Sequence, residues 1–308
     1  SIDTAKAANL MFTNPGDLLD YVNAPIGGGR IPEQPLKPLI AVPTTTGTGS
    51  ESTTICVLDV LDQHVKTGIS HARLRPTLAV VDPDLSVTQP PMVTACAGLD
   101  ILCHALESYT ARPFTSFEAK TAEQRVPYCG ANPISDMWAE RALGLMAEAF
   151  IPAVREDDPE ARAKVALAAT LAGMGFGNAG VHVPHANAYP IAGRVRAYRP
   201  PDYPQDEPLI PHGMAVALTA PAAFRAIHGA SPERHERAAH LLGGDDLPTT
   251  LRAIMDAVGM PTGLRAVGYT ESDIPDLVEG SLAQQRLLAL APMELTADDL
   301  AAIFEESM

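Results

Sequence analysis

Gly98-Leu99-Asp100-Ile101-Leu102-Cys103-His104-Ala105-Leu106-Glu107 sets a carboxylate and an imidazole four residues apart inside an apolar run. At 3.6 residues per turn, that spacing puts Asp100 and His104 on one face of a helix. Leu99, Ile101, Leu102 and Leu106 surround the pair, so the helix is expected to be buried on most sides. An ionised carboxylate in that setting needs a partner. A hydrogen-bonded polar pair would answer the need, and so would a metal ion. Further along, His182 and His185 fall in Asn178-Ala179-Gly180-Val181-His182-Val183-Pro184-His185-Ala186-Asn187-Ala188-Tyr189-Pro190, and His212 in Leu209-Ile210-Pro211-His212-Gly213-Met214. One carboxylate with imidazoles from separate segments is a donor set for a divalent transition metal. Periodicity does not choose between His182 and His185.

The chain on the N-terminal side of this helix reads as α/β. Residues 1–10 look like the early turns of a helix, with Asp3 near its positive end. Leu39-Ile40-Ala41-Val42, bounded by prolines, reads as a short buried strand, and residues 55–60 and 78–82 as two more. From about residue 88 Ala-rich helical patterns take over, with helices expected near 91–111, 134–155, 160–175, 213–228, 232–242, 247–258, 272–279 and 296–306. Thr296-x-x-Asp299 is a start signal for the last of these. Residues 112–133 and 194–211 read as long loops. The expected organisation is thus an α/β part over 1–87 followed by an all-helical part over 88–308, with a small-molecule site in the cleft between them.

Composition narrows the function. The 308 residues carry a formal net charge of −15 and are 46% hydrophobic. That describes a globular chain and argues against wholesale binding to nucleic acid or anionic membranes. No apolar run reaches about 18 residues, so no transmembrane helix is expected. The four cysteines, Cys56, Cys96, Cys103 and Cys129, include no Cys-x-x-Cys pair. Cys96 and Cys103, one heptad apart on the same helix, read as small core residues, which favours a reducing compartment. The cytoplasm is expected, or the mitochondrial matrix if a transit peptide precedes. The chain opens within a helix, with no initiator Met and no targeting pattern, so a segment upstream of Ser1 is expected.

Pro43-Thr44-Thr45-Thr46-Gly47-Thr48-Gly49-Ser50-Glu51-Ser52 follows the strand at 39–42. Glycines and hydroxyls after a strand suit phosphate binding, although no Lys follows the glycines as in a P-loop. Gly175-Phe176-Gly177-Asn178-Ala179-Gly180 spells a dinucleotide fingerprint but follows an Ala-rich helix rather than a strand. Its glycines are expected to serve close backbone packing. Arg252, Arg286, His228, His235 and His240 read as solvated helix faces and receive no role.

These segments together resemble the iron-dependent alcohol dehydrogenase family, whose fold is shared with dehydroquinate synthase. The likeness rests on Pro43-Thr44-Thr45-x-Gly47-Thr48-Gly49-Ser50-Glu51, Asp82-Pro83-x-Leu85, Gly98-x-Asp100-x-x-x-His104-Ala105-x-Glu107 and Pro211-His212-Gly213. The runs His104–Thr110, Asn132–Asp136, Gly175–His182 and Gly268-Tyr269-x-x-x-Asp273-Ile274-Pro275 are similar to the hydroxyacid-oxoacid transhydrogenase branch. The resemblance covers essentially the whole chain. It implies an incomplete Rossmann-like nucleotide-binding part followed by the all-α part, because a Gly-Gly-Gly-Ser turn and a nucleotide-binding half-domain precede the position of Ser1 in that family.

The resemblance also implies a ligand set. The family's first downstream ligand lies four residues before a position followed by Pro, which fits His185 before Tyr189-Pro190 and not His182. The implied ligands are Asp100, His104, His185 and His212, holding Fe2+, with Zn2+ compatible with the same donors. The implied NAD contacts are Asp3, Thr44, Thr45, Thr48, Ser50 and Lys66. Tyr189 stands where ordinary members have a second His near the nicotinamide, which makes it a candidate catalytic residue. The implied chemistry is metal-assisted hydride transfer from 4-hydroxybutyrate, through bound NAD, to 2-oxoglutarate. A plain dehydrogenase with exchangeable cofactor and an inactive metal-binding fragment are the rival readings. Carboxylate substrates need a cationic anchor, and Arg194, Arg196 or Arg199, in the loop between two implied ligands, is the candidate. Expected partners are small-molecule hydroxyacids and oxoacids and further copies of the chain, without nucleic acid or membrane.

Overall fold

A computed structural model describes the chain except residues 25, 61–64, 120, 122–127 and 157, and the side chains of residues 59 and 65. The α/β part opens with α1 (Ile2–Thr13) and a single turn, α2 (Leu18–Tyr21). Two small sheets follow. β1 (Ile40–Ala41) pairs in parallel with β4 (Leu78–Ala79). β2 (Ile55–Val60) and β3 (Val65–Ser70) form an antiparallel hairpin with Cys56 opposite Ile69 and Leu58 opposite Thr67. A small core of Leu10, Tyr21, Val22, Cys56, Ile69 and Leu74 ties α1 and α2 to this hairpin.

The remainder is helical: α3 (Pro91–Thr110), α4 (Pro133–Arg155), α5 (Pro159–Ala179), α6 (Val183–Gly193), α7 (His212–Ile227), α8 (Pro232–Leu241), α9 (Leu247–Ala257), α10 (Ile274–Leu282), α11 (Gln285–Leu288) and α12 (Ala297–Glu306). Prolines open α3, α4 and α5, where a missing N–H costs nothing. Asn132 with Ser135, and Thr296 with Asp299, form reciprocal capping boxes. The middle of the bundle is α3, buried from Gly98 to Thr110 without a break and packed by α4, α5 and α7. No helix among the described residues is long and apolar enough to cross a membrane.

Five elements differ from the sequence reading. The strand at 39–42 contracts to Ile40–Ala41, and that at 78–82 to Leu78–Ala79. β3 was not anticipated. The 160–175 helix runs on to Ala179 and takes Gly175 to Ala179 into its last turns, with Gly180 in the left-handed region at φ 97°. α6 was missed altogether: its prolines 184 and 190 read as loop punctuation, and burial on every side leaves no polar face to give it a period. Within the expected loop 112–133, Phe114–Ser116 makes one 3₁₀ turn and Pro113 bridges Ala131; residues 120 and 122–127 of that loop lie outside the described residues.

Candidate metal centre and cleft

Three helices deliver four side chains to one point. Asp100 and His104 come from successive turns of α3, His185 from the first turn of α6, and His212 from the first residue of α7. The Nε2 atoms of His104, His185 and His212 lie 3.8, 3.5 and 3.8 Å from Asp100 Oδ1. The donor atoms of Asp100, His185 and His212 all fall within 4.8 Å of one another; His104 is not part of that set, although its Nε2 lies 3.8 Å from the shared carboxylate oxygen. A tetrahedral site with bonds of about 2.1 Å has ligand–ligand edges of about 3.4 Å, so these separations suit one ion among the donors.

The chemistry of the pocket points the same way. Asp100 Oδ1 and His185 Nε2 are buried and have no hydrogen-bond partner among the described residues, an arrangement that costs free energy unless something sits between them. Burial would raise the Asp100 carboxyl, but His104, His212 and His185 outweigh it and hold the group ionised. Burial depresses His104 to about 3 and His212 to about 4, so both favour the neutral imidazole that binds a metal. At His185 burial is outweighed by Glu107 and Asp100, and the ring is pushed up to about 10. A ring between two carboxylates is a place that calls for positive charge, which a metal cation can supply.

Glu107 has no exposed surface, and its hydrogen bonds go to the start of α6. Its Oε2 lies 2.6 Å from His185 Nδ1 and accepts the His182 N–H at 3.1 Å, while Oε1 accepts the His185 N–H at 3.0 Å. The Nδ1 contact leaves Nε2 facing Asp100. Glu107 stands seven residues after Asp100 and three after His104, on the same helix face, a spacing that could have marked it. His182 takes a different part: it caps α6, is fully buried, and its Nε2 lies 3.0 Å from Thr110 Oγ1. On the other flank Phe176 stacks on His104 at 4.0 Å, and His104 stacks on His185 at 4.6 Å.

Gly213 brings the helices together. A Cβ there would lie 2.0 Å from the Cys96 carbonyl oxygen and 3.0 Å from Asp100 Cβ. Only glycine lets the start of α7, with His212, approach α3 this closely.

The centre opens into a cleft of about 270 Å³ lined from both parts of the chain. The α/β part contributes Asp3, Thr48, Ser50 and Lys66; the helical part contributes the four donors, Tyr189 and Arg286. Four of the six expected NAD contacts therefore gather here. Thr44 and Thr45 do not line the cleft; Thr45 faces a separate shallow recess with Pro43, Thr46 and Glu51. Asp3 bonds Ser50 Oγ and accepts the Val57 N–H at 2.8 Å. Beneath them Lys6, fully buried, donates to Ser50 Oγ at 3.0 Å and to the carbonyls of Thr53 and Ile55 at 3.2 and 2.7 Å. The glycines of the Thr44–Ser52 loop also serve packing. A Cβ on Gly49, at φ 60°, would meet the Gly173 Cα of α5 at 2.8 Å, so this contact holds the loop against the helices. Tyr189, one turn beyond His185, faces the His212 ring edge-on at 6.4 Å.

The arginine loop is elsewhere. Arg194 pairs with Asp276 at 3.0 Å, Arg196 pairs with Asp273, and Arg199 bonds the carbonyls of Gln205 and Ala197. None of the three lines the cleft. Two residues read as solvated faces also sit otherwise: His235 is only 1% exposed, against Phe224, and Arg286 lines the cleft.

Known proteins add a second line of observation. Residues 1–83 match the iron-containing alcohol dehydrogenase family, and residues 94–308 match the C-terminal part of the Fe-containing alcohol dehydrogenase family. The chain is 48% identical to the mitochondrial hydroxyacid-oxoacid transhydrogenase of Xenopus tropicalis, over all of its own length and 70% of that protein's. Among solved structures it is similar to an alcohol dehydrogenase from Oenococcus oeni, with TM-score 0.84 and 28% identity over 100% of this chain and 74% of that one. A sulfoacetaldehyde reductase from Bifidobacterium kashiwanohense, solved in complex with NAD+, gives TM-score 0.78 and 28% identity over 99% and 73%.

Proposed function

The chain belongs to the iron-containing alcohol dehydrogenase family, and on that premise we propose that this oxidoreductase oxidises a hydroxyacid such as 4-hydroxybutyrate and reduces an oxoacid such as 2-oxoglutarate, with Fe2+ and NAD as its cofactors. The observation that carries this reading is the convergence of three imidazoles on Asp100 at one end of a cleft that also presents Asp3, Thr48, Ser50 and Lys66. The transhydrogenase relatives supply the substrate classes, and the NAD+-bound reductase supports the choice of dinucleotide.

Asp100, His104, His185 and His212 would hold the ion, and the α/β wall of the cleft would hold the dinucleotide. When bound, a divalent ion eases loss of a hydroxyl proton, and a nicotinamide takes and returns a hydride. The chain does the positioning. Glu107 fixes the orientation of His185. Phe176 covers one face of His104 and keeps water from it. Tyr189 sets a phenol beside His212, close to where a substrate hydroxyl would stand. Four free cysteines fit a reducing compartment.

The test is turnover by Fe2+-loaded protein given 4-hydroxybutyrate and 2-oxoglutarate. Formation of 2-hydroxyglutarate without added NAD supports a transhydrogenase. Formation of NADH only when NAD is added, with no reduction of 2-oxoglutarate, would make the protein a plain dehydrogenase.

A further inference from the structure

We propose that Arg286 is the anchor for the substrate carboxylate and thereby selects hydroxyacids over neutral alcohols; this deepens the transhydrogenase reading and rests on it for the choice of substrate. A protein of net charge −15 that draws an anion into a cleft lined by Asp3 and Asp100 needs a local cation. The loop arginines are engaged with Asp276, Asp273 and backbone carbonyls away from the cleft. Among the described residues, the cations that line it are Lys66 and Arg286.

Among the described arginines, Arg75, Arg141 and Arg286 have no carboxylate or carbonyl on the guanidinium, but Arg75 and Arg141 are exposed, whereas Arg286 is half-buried and lines the cleft; Arg30, Arg194, Arg196, Arg225, Arg234, Arg237 and Arg265 all have acidic partners. A guanidinium offers a planar fork suited to a carboxylate, and Arg286 lines the cleft.

Its placement is tied to the metal donors through packed side chains. Arg286 lies on α11, which packs on α6, the helix of His185 and Tyr189. Its neighbour Leu287 shares a buried cluster with Tyr128 and Phe176, and Phe176 stacks on His104. The positive charge of Arg286 also acts on the buried Tyr128 hydroxyl, and Tyr189 packs against the same cluster as Tyr128. Arg286 therefore belongs, with Tyr189, to the helical wall of the cleft, whereas the dinucleotide candidates Asp3, Thr48 and Ser50 belong to the α/β wall. That location favours a substrate carboxylate over a cofactor phosphate.

Titrating the metal-loaded protein with glutarate by calorimetry, in parallel with NAD, tests the assignment. Arg286→Gln should raise the glutarate Kd by about tenfold to a hundredfold, the range for losing a charge-assisted hydrogen bond, and Arg286→Lys should recover part of it. Where 4-hydroxybutyrate is turned over, the ratio of its kcat/KM to that of 1,4-butanediol should fall by a similar factor. A glutarate Kd within twofold of the parent protein's, an NAD Kd that rises while glutarate binding is untouched, or a parent protein that binds no glutarate would each overturn the anchor. Glutarate binding that depends on Arg286, in a protein that leaves 4-hydroxybutyrate unoxidised, would uphold the anchor and refute the transhydrogenase reading.

Discussion

Glu107 and His185 form a buried pair, with Oε2 2.6 Å from Nδ1, and the same carboxylate also accepts two backbone N–H groups at the start of α6. One side chain of α3 thus fixes both the place and the ring orientation of a donor on another helix. Replacing Glu107 by Gln puts an amide N–H₂ against groups that already donate. Metal affinity should fall by about tenfold to a hundredfold, measured by competition with a chromogenic chelator. An unchanged affinity in a folded variant would mean that His185 needs no such support.

Gly213→Ala tests the approach of α7 to α3. Its new Cβ would have to occupy space 2.0 Å from the Cys96 carbonyl oxygen, which is backbone and cannot swing away. The start of α7 must shift, and His212 with it. The expected cost is about 2–4 kcal/mol of stability, seen as a lower Tm, together with a reduced metal content. A variant with the parent Tm and full metal content would contradict the close contact.

Much of this was legible in the sequence where a short-range rule applied. The four-residue interval between Asp100 and His104 marked a shared helix face, Ile55–Val60 read as a strand from a short, largely apolar and β-branched run, and Thr296-x-x-Asp299 marked a cap that forms. The illegible parts depend on contacts between distant segments. α6 has neither a polar face nor a clean run free of proline, since neighbouring elements cover it on all sides. β3 is a strand because β2 pairs with it. Arg286 resembles any surface arginine until α11 packs on α6 and places it at the cleft, and Arg194 and Arg196 looked like anchors because their acidic partners lie some 80 residues further on.

Lys6 joins α1 to the loop that carries Ser50. Burial lowers the pKa of its ammonium while Asp3, 3.6 Å away, works to raise it. Lys6→Met would strand Ser50 Oγ and two carbonyls without their donor, at a cost of about 2–4 kcal/mol. We expect a lower Tm and weaker NAD binding. Parent-like values for both would show that the Asp3–Ser50 contact stands without the lysine.

His235 supplies a pH signature remote from the metal donors. Burial depresses its pKa below the ordinary 6.5, with His228 adding to the effect and the Ser231 carbonyl opposing it. The unfolded chain then binds a proton that the folded chain refuses. The resulting stability is full above about pH 6.5 and is lost as pH falls toward the folded pKa, by at most about 1.4 kcal/mol per pH unit. His235→Leu should flatten the decline in Tm between pH 7 and pH 5 relative to the parent. An equal decline in both proteins would show that the ring is protonated in the folded state.

The central claim is that four donors from three helices close on one cation, and the direct measurement is metal stoichiometry. Protein reconstituted anaerobically with Fe2+, freed of excess ion and analysed by inductively coupled plasma mass spectrometry, should carry about one ion per chain, with Asp100→Ala and His212→Ala retaining less than about a tenth of that. A parent protein that retains no metal, or alanine variants that bind it as fully as the parent, would contradict the account.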